Sequence, residues 1–316
     1  MRKARTGAII LLCVTLVGLT GQAALSDGPV PHTQSGQNVG QLLAVALQHT
    51  QSGRPDSAIA PHAEAGSGLP ASAYADEVVR LINLERRKAG LAPYKVNPVL
   101  TAIAEAHSAL MRDRGCFAHQ CPGEASPADR ACAAGYTPYC WGACFIGETI
   151  GAGFNTPASL VAAWMASPGH HDILLNGKLR EIGVGYVTGG FYGTYWTADF
   201  GSQPDVLPVF VNYDDTQTST QAVTVTLTNE QVSGCSGIDY ADQVMLSNDP
   251  GFGGAVWEAY ALHKAWTLTA GNGQKRVYVR YRDSTGYQVT SSDDILLLIP
   301  EQAHRVFLPA ITRSGP

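Results

Sequence analysis

Two adjacent histidines, His170 and His171, stand in "WMASPGHHDILLNG" behind a Ser-Pro-Gly turn, in a chain that holds only nine histidines. Imidazoles in such a place can ligate a divalent ion, exchange protons near neutral pH, or hydrogen-bond within a core. The other cluster of reactive types is cysteine. Beyond the N-terminus these are Cys116, Cys121, Cys132, Cys140, Cys144 and Cys235. A zinc-thiolate site wants Cys-x-x-Cys spacings, and the wider, irregular gaps here favour bridges stapling a long loop. The familiar enzyme signatures are missing from the sequence: there is no His-Glu-x-x-His helix, no Gly-x-Ser-x-Gly elbow and no glycine-rich phosphate loop opening a helix.

The elements that must position these residues are legible. Tyr74, Val78, Leu81 and Ile82 recur at helical spacing, which predicts a helix from about Ser72, with Asp76 and Glu77 in its first turn and Gly90 as its stop. "NPVLTAIAEAHSALMRDRG", "SPADRACAAG" and "TPASLVAAWMAS" each open with Asn, Ser or Thr followed by Pro. That pair caps free amides and presets the first helical backbone angle. Ser167-Pro168 repeats the device, so His170 and His171 fall in the first turn of a short helix. Neighbours on a helix point about 100° apart, so the two cannot easily serve one cleft. "EIGVGYVT" and "TYWTADFG", joined by "GGFYG", read as a hairpin. Helices with a few strands make this region α/β or α+β.

The 316 residues allow about two domains. With 21 Lys and Arg against 26 Asp and Glu, and no basic stripe evident, nucleic acid is excluded as a main partner. Residues 1–24 carry a cationic start, an apolar run and small residues at Gly21, Ala23 and Ala24. This is the pattern of a secretory signal peptide, too short for a membrane anchor, and it takes Cys13 with it. Residues 25–71, rich in Gly, Ser, Pro, Gln and His, read as a flexible leader. An exported chain with six remaining cysteines is expected to bridge them.

After Gln203 the texture changes. "AVTVTLTN", "DQVMLSN", "AWTLTAG" and "RVYVRYRD" are rich in β-branched and aromatic residues, with turns at "GNGQ" and "DSTG". These predict an all-β, immunoglobulin-like sandwich over 204–302. Trp257, Tyr260 and Trp266 are read as core rather than as a sugar platform. Residues 303–316 form a tail whose Leu308-Pro309 is not followed by a sortase signal.

Taken in order, "INLERRKAG", "FAH", "GET", "WMASPGHHDIL" and "EIGVG…YWTADFG" resemble a bacterial member of the CAP superfamily, which groups cysteine-rich secretory proteins, antigen 5 and pathogenesis-related 1 proteins. The β region resembles a module appended to secreted bacterial proteins. The first resemblance covers 72–203 and implies a three-layer α-β-α sandwich with a central cleft, commonly lined by two histidines and two acidic residues. By position these are His119 of "FAH", Glu148 of "GET" and His170. The fourth does not transfer, since Ser167 stands where eukaryotic relatives have glutamate, and Glu181 is offered in its place. His107 is expected to be a packed or capping residue. A Cys116–His119 nucleophile pair is set aside, because the family bridges such cysteines and a bridged sulfur cannot attack.

The reading is a secreted or cell-surface protein whose cleft binds a ligand or a divalent ion rather than catalysing. The ligand is an unknown small molecule, lipid or cell-envelope component. The only cofactor implied is a weakly held metal such as zinc on His119, Glu148 and His170. The alternatives are a metal-assisted, peptidase-like hydrolase and an adhesion protein whose β domain carries the specificity.

Overall fold

The structure is a computed structural model that describes residues 70–136, 146–231 and 237–300. The signal pattern, nearly all of the leader, Cys140, Cys144, Cys235 and the C-terminal tail lie outside the described residues. All that is described belongs to one compact unit spanning His62–Pro316.

Helix α1 (Ala71–Lys88) follows Pro70 without a side-chain cap, and Gly90 at φ +72° ends the segment. Starting at Ala71, it leaves Asp76 and Glu77 past the first turn, not within it as the sequence suggested. After strand β1 (Lys95–Val96), α2 (Pro98–Arg114) is capped by Asn97, whose side chain accepts from the amides of Val99 (2.9 Å) and Leu100 (3.3 Å). Ser126 caps α3 (Pro127–Ala133) and Thr156 caps α4 (Pro157–Ala166), each by accepting an amide at 3.2 Å. Between the last two helices runs β2 (Gly147–Ala152). α5 (Pro168–Leu174) departs from the pattern. Ser167 makes no side-chain cap; it closes α4 and opens α5 through its backbone alone, donating to the Trp164 carbonyl and accepting from the His171 amide at 2.8 Å.

Strands β3 (Glu181–Thr188) and β4 (Thr194–Gly201) form the expected hairpin, in register from Glu181 opposite Gly201 to Thr188 opposite Thr194. The sheet order is β1-β3-β4-β2, with β1 parallel to β3 and the other pairs antiparallel. One face is apolar: Ile182, Val184, Trp196, Ala198 and Phe200 share a core with Val78 and Ile82 of α1 and Leu160, Val161 and Trp164 of α4. On the other face Gly183 and Gly185 let α2 approach the strand directly. A Cβ at Gly183 would lie 2.0 Å from the Thr101 nitrogen, and one at Gly185 2.3 Å from Ala104 backbone.

The remainder is all β. In chain order the strands are β5 (Val209–Val211), β6 (Gln217–Thr218), β7 (Ala222–Leu227), β8 (Ala241–Ser247), β9 (Glu258–Ala259), β10 (His263–Thr267), β11 (Gly273–Asp283) and β12 (Gln288–Leu297). They make two sheets, β10-β7-β5 and β6-β12-β11-β8-β9, around one core that includes Val209, Val225, Leu246, Val279 and Ile295. Tyr260 and Trp266 pack against that core, whereas Trp257, also read as a core residue, is only partly buried and stacks with Arg282 instead. Sequence patterning marks neither β5 nor β12. β5 is three residues long and β12 begins with "QVTSSDD", which is polar apart from Val289.

The two regions are joined through polar contacts, one buried and one partly exposed. Arg180 is 2% exposed and pairs with Glu230 at 3.0 Å, while it also donates to the carbonyls of Gln203 (2.7 Å) and Val206 (2.9 Å). Lys95 bridges Asp214 (3.0 Å) and Asp293 (2.9 Å). Among the described residues no helix is long and apolar enough to cross a membrane.

Candidate functional site: a histidine cleft over buried carboxylates

The site lies on the face of the sheet that carries α2. At the end of that helix, Gly115 in the left-handed conformation turns the chain into a short loop closed by a Cys116–Cys121 disulfide. Cys132 on α3 is disulfide-bonded as well. The loop holds His119, and a buried network under it fixes its path. His107, 1% exposed on α2, bonds the Ala118 carbonyl through Nε2 (3.1 Å) and Glu124 Oε1 through Nδ1 (2.7 Å). Glu124 Oε2 accepts the Cys121 amide at 2.9 Å. His107 is therefore an organiser of the loop, in keeping with its reading as a packed residue.

His119 and Glu148 meet: His119 Nδ1 lies 2.7 Å from Glu148 Oε1, with the imidazole side chain 53% exposed and the carboxylate 3%. The other oxygen of Glu148 accepts from Arg130 on α3. Arg130 also pairs with Glu124 (3.2 Å) and donates to the His119 carbonyl (3.0 Å). One guanidinium thus serves two buried carboxylates and the loop carrying the histidine.

His170 comes to the same cleft from α5. Its ring lies against Trp164, with centroids 6.5 Å apart, and its Nδ1 is buried without a hydrogen-bond partner. Burial, and secondarily the neighbouring His119, lower its pKa. His171 points elsewhere: it is 43% exposed, with only a long 3.5 Å contact to Asp172. The structure therefore brings His119, Glu148 and His170 toward one another and leaves His171 out. Glu181 lies apart from them. It is 5% exposed and both its oxygens are engaged, by Asn97 Nδ2 (2.8 Å) and by the Tyr136 hydroxyl (2.6 Å).

Sequence reading missed Glu124, Arg130 and Asp199. Asp199 sits directly across the β2–β4 ladder from Glu148 and is fully buried, with neither oxygen accepting a hydrogen bond. Burial, then the adjacent negative Glu148, hold its pKa well above the ordinary carboxylate range. A neutral Asp199 can instead donate to Glu148. Its only sequence signal is a carboxylate inside "TYWTADFG", a strand buried at every position.

The donor set fits a divalent cation poorly. Glu148 spends one oxygen on His119 and the other on a guanidinium, and a second cation beside Arg130 would be repelled. Among the described residues, no group of three or more His, Cys, Asp or Glu side chains is arranged to hold a metal ion.

Comparison with known proteins bears on the same region. The family model described as CAP, the cysteine-rich secretory protein family, matches residues 79–200. The uncharacterized protein YkwD of Bacillus subtilis strain 168 is 38% identical over 157 residues, which cover 50% of this chain and 58% of that one. The chain thus spans somewhat over half the length of that relative. Among solved structures, an extracellular protein containing an SCP domain from Bacillus anthracis is 25% identical, covering 41% of this chain and 40% of that one, at a TM-score of 0.36. An outer surface protein of Borrelia burgdorferi is 17% identical, covering 42% of this chain and 96% of that one, at 0.37. For the β region, a PKD-type domain of the Vibrio anguillarum protein Epp is 14% identical, covering 30% of this chain and 94% of that one, at 0.22.

Proposed function

We infer the function of a chain whose residues 79–200 are a bacterial CAP domain of the cysteine-rich secretory protein family: it is an exported binding protein, and its cleft takes a polar ligand through His170 and His119. We read the domain as a three-layer α-β-α sandwich and the β region as an immunoglobulin-like sandwich. Export is supported by the N-terminal signal pattern and by the bridging of Cys116, Cys121 and Cys132.

The observation that carries the binding reading is the buried, unpartnered Nδ1 of His170 beside the half-exposed imidazole of His119. A buried polar atom without a partner costs about 1–3 kcal/mol, and a ligand hydroxyl or amide entering the cleft recovers that. Hydrolysis is disfavoured by what surrounds the imidazoles. A general base needs a nucleophile or positioned water within hydrogen-bond reach, and the cysteines nearest His119, Cys116 and Cys121, are bridged and cannot attack. Reversible zinc binding, the second reading, would have to displace Arg130 from Glu148.

The test uses the mature chain labelled with 15N at histidine and titrated with isopropanol and acetamide as small polar probes. The imidazole resonances of His170 and His119 should move before those of any other histidine. Uniform movement, tight zinc binding by calorimetry, or peptide turnover abolished by chelator would each overturn the reading.

A further inference from the structure

Along β11 Val277, Val279 and Tyr281 are buried, as is Asp283 past a register shift at the strand's end, so Arg276, Tyr278, Arg280 and Arg282 line the outer face of the five-stranded sheet. Three guanidiniums therefore stand in one row, a stripe that the linear sequence disguises by alternation. Arg276 is neutralised by Asp294. The other two have no acidic partner among the described residues. Arg280 makes no hydrogen bond among them; its guanidinium lies 4.2 Å over the Phe252 ring. Arg282 lies 4.2 Å over Trp257, with Nε (2.9 Å) and Nη2 both donating to Gln243 Oε1.

These rings hold the two guanidiniums flat and leave in-plane N–H donors, those of Arg280 and the Nη1 side of Arg282, for something outside the protein. Phe252 reaches its place from a backbone at φ +56°, a conformation that costs a bulky residue about 1–3 kcal/mol. The residues flanking the pair across the ladder are neutral: Met245 and Thr290 beside Arg280, Gln243 and Gln288 beside Arg282, and Ser247 and Ser292 beside Tyr278. The acid in the Phe252 turn, Asp249, bends back onto the Gly253 amide at 3.4 Å.

We propose that this face docks a polyol-phosphate polymer, with successive phosphodiesters on Arg280 and Arg282 and its hydroxyls on the flanking Ser, Thr and Gln side chains. Guanidiniums on alternate residues of an antiparallel strand lie about 7 Å apart. One cation per such step, with neutral hydrogen-bonding groups between, matches a polymer bearing one negative charge per repeat. Densely sulfated chains would call for a denser row of cations. The fork of a guanidinium pairs with two non-bridging phosphate oxygens, which lysine cannot reproduce.

The experiment measures binding of the full chain to synthetic poly(glycerol phosphate) by calorimetry at low ionic strength. Wild type should bind, and affinity should fall with salt at a log–log slope of about −1.4, as two phosphate contacts imply. The double variant Arg280→Ala/Arg282→Ala should lose at least tenfold, and Arg280→Lys, which keeps charge and stem, severalfold. Lys275→Ala removes the same charge from the opposite face of β11 and should leave binding unchanged. The proposal is overturned by absence of binding, by equal loss in Lys275→Ala, or by tighter binding of single-stranded DNA. If the double variant does not fold, wild-type affinity in Arg280→Lys overturns it instead.

Discussion

The two faces of the four-stranded sheet solve different problems. Toward α1 and α4 the sheet presents Ile182, Val184, Trp196, Ala198 and Phe200, all at most 2% exposed, and the contacts are apolar. Toward α2 it presents Gly183, Gly185, Thr197, Asp199 and, from β2, Glu148, all buried but small or polar. The apolar face stabilises by area, on the order of 25 cal/mol per Å² removed from water, and tolerates changes of shape. The polar face stabilises only if every group keeps its partner, because a buried charge or amide left alone is costly. It is the polar face that carries the cleft.

The contrast breaks most sharply at the glycines. Gly185→Val would drive a side chain into the backbone of α2, which no rotamer can relieve. We expect a loss of more than about 4 kcal/mol, or no folded protein. Val184→Ala, one residue away on the apolar face, should cost about 2 kcal/mol and leave the fold intact. Urea denaturation of both variants tests this, and similar losses would erase the asymmetry between the faces.

The next effect comes from the charge network. Glu148→Gln removes the anion that Arg130 and His119 share, leaving a buried guanidinium with only Glu124, and should cost about 3 kcal/mol. Asp199→Asn should act oppositely. Because the folded pKa of Asp199 is raised, the native state holds a proton that the unfolded chain has released above about pH 3.9. Stability therefore falls as pH rises from that value toward the folded pKa. The asparagine removes this loss, so it should match or exceed wild type at neutral pH and converge with it in acid. Thermal unfolding across that range checks it; an asparagine variant less stable than wild type at neutral pH would show that Asp199 is held as an anion.

How much of this was legible in the sequence follows from how local the signals are. Asn97, Ser126 and Thr156, each before a proline, place three helix starts, because capping is decided within four residues. The β3–β4 hairpin was readable from "EIGVG" and "TYWTADFG" flanking a glycine-rich turn. Buried charges were not. Arg86 looks like one of several surface cations in "ERRK", yet it is 2% exposed, stacks on Tyr94 and donates to the carbonyls of Ala92, Leu174 and Asn176. Arg130 and Asp199 acquire their roles from partners on other elements, 18 and 51 positions from Glu148 along the chain. Spacing rules cannot see such pairs, whereas the resemblance to the CAP superfamily supplied His119, Glu148 and His170 together.

The smallest expected effect separates the two adjacent histidines. His170 has a lowered pKa in the folded state because its ring is partly buried and His119 is near. As pH falls below about 6.5, the unfolded chain takes up a proton at this position before the native state does. The unfolded state then binds more protons, so stability is lost as pH drops through the ordinary histidine value, and the loss levels off below the folded pKa. His170→Ala should flatten that part of the profile. His171→Ala should leave it as in wild type, since that side chain is half exposed and has no close partner. Melting temperatures of the three proteins between pH 5 and 8 decide the matter: parallel profiles in all three would remove His170 from the cleft, and equal flattening would put both histidines in it.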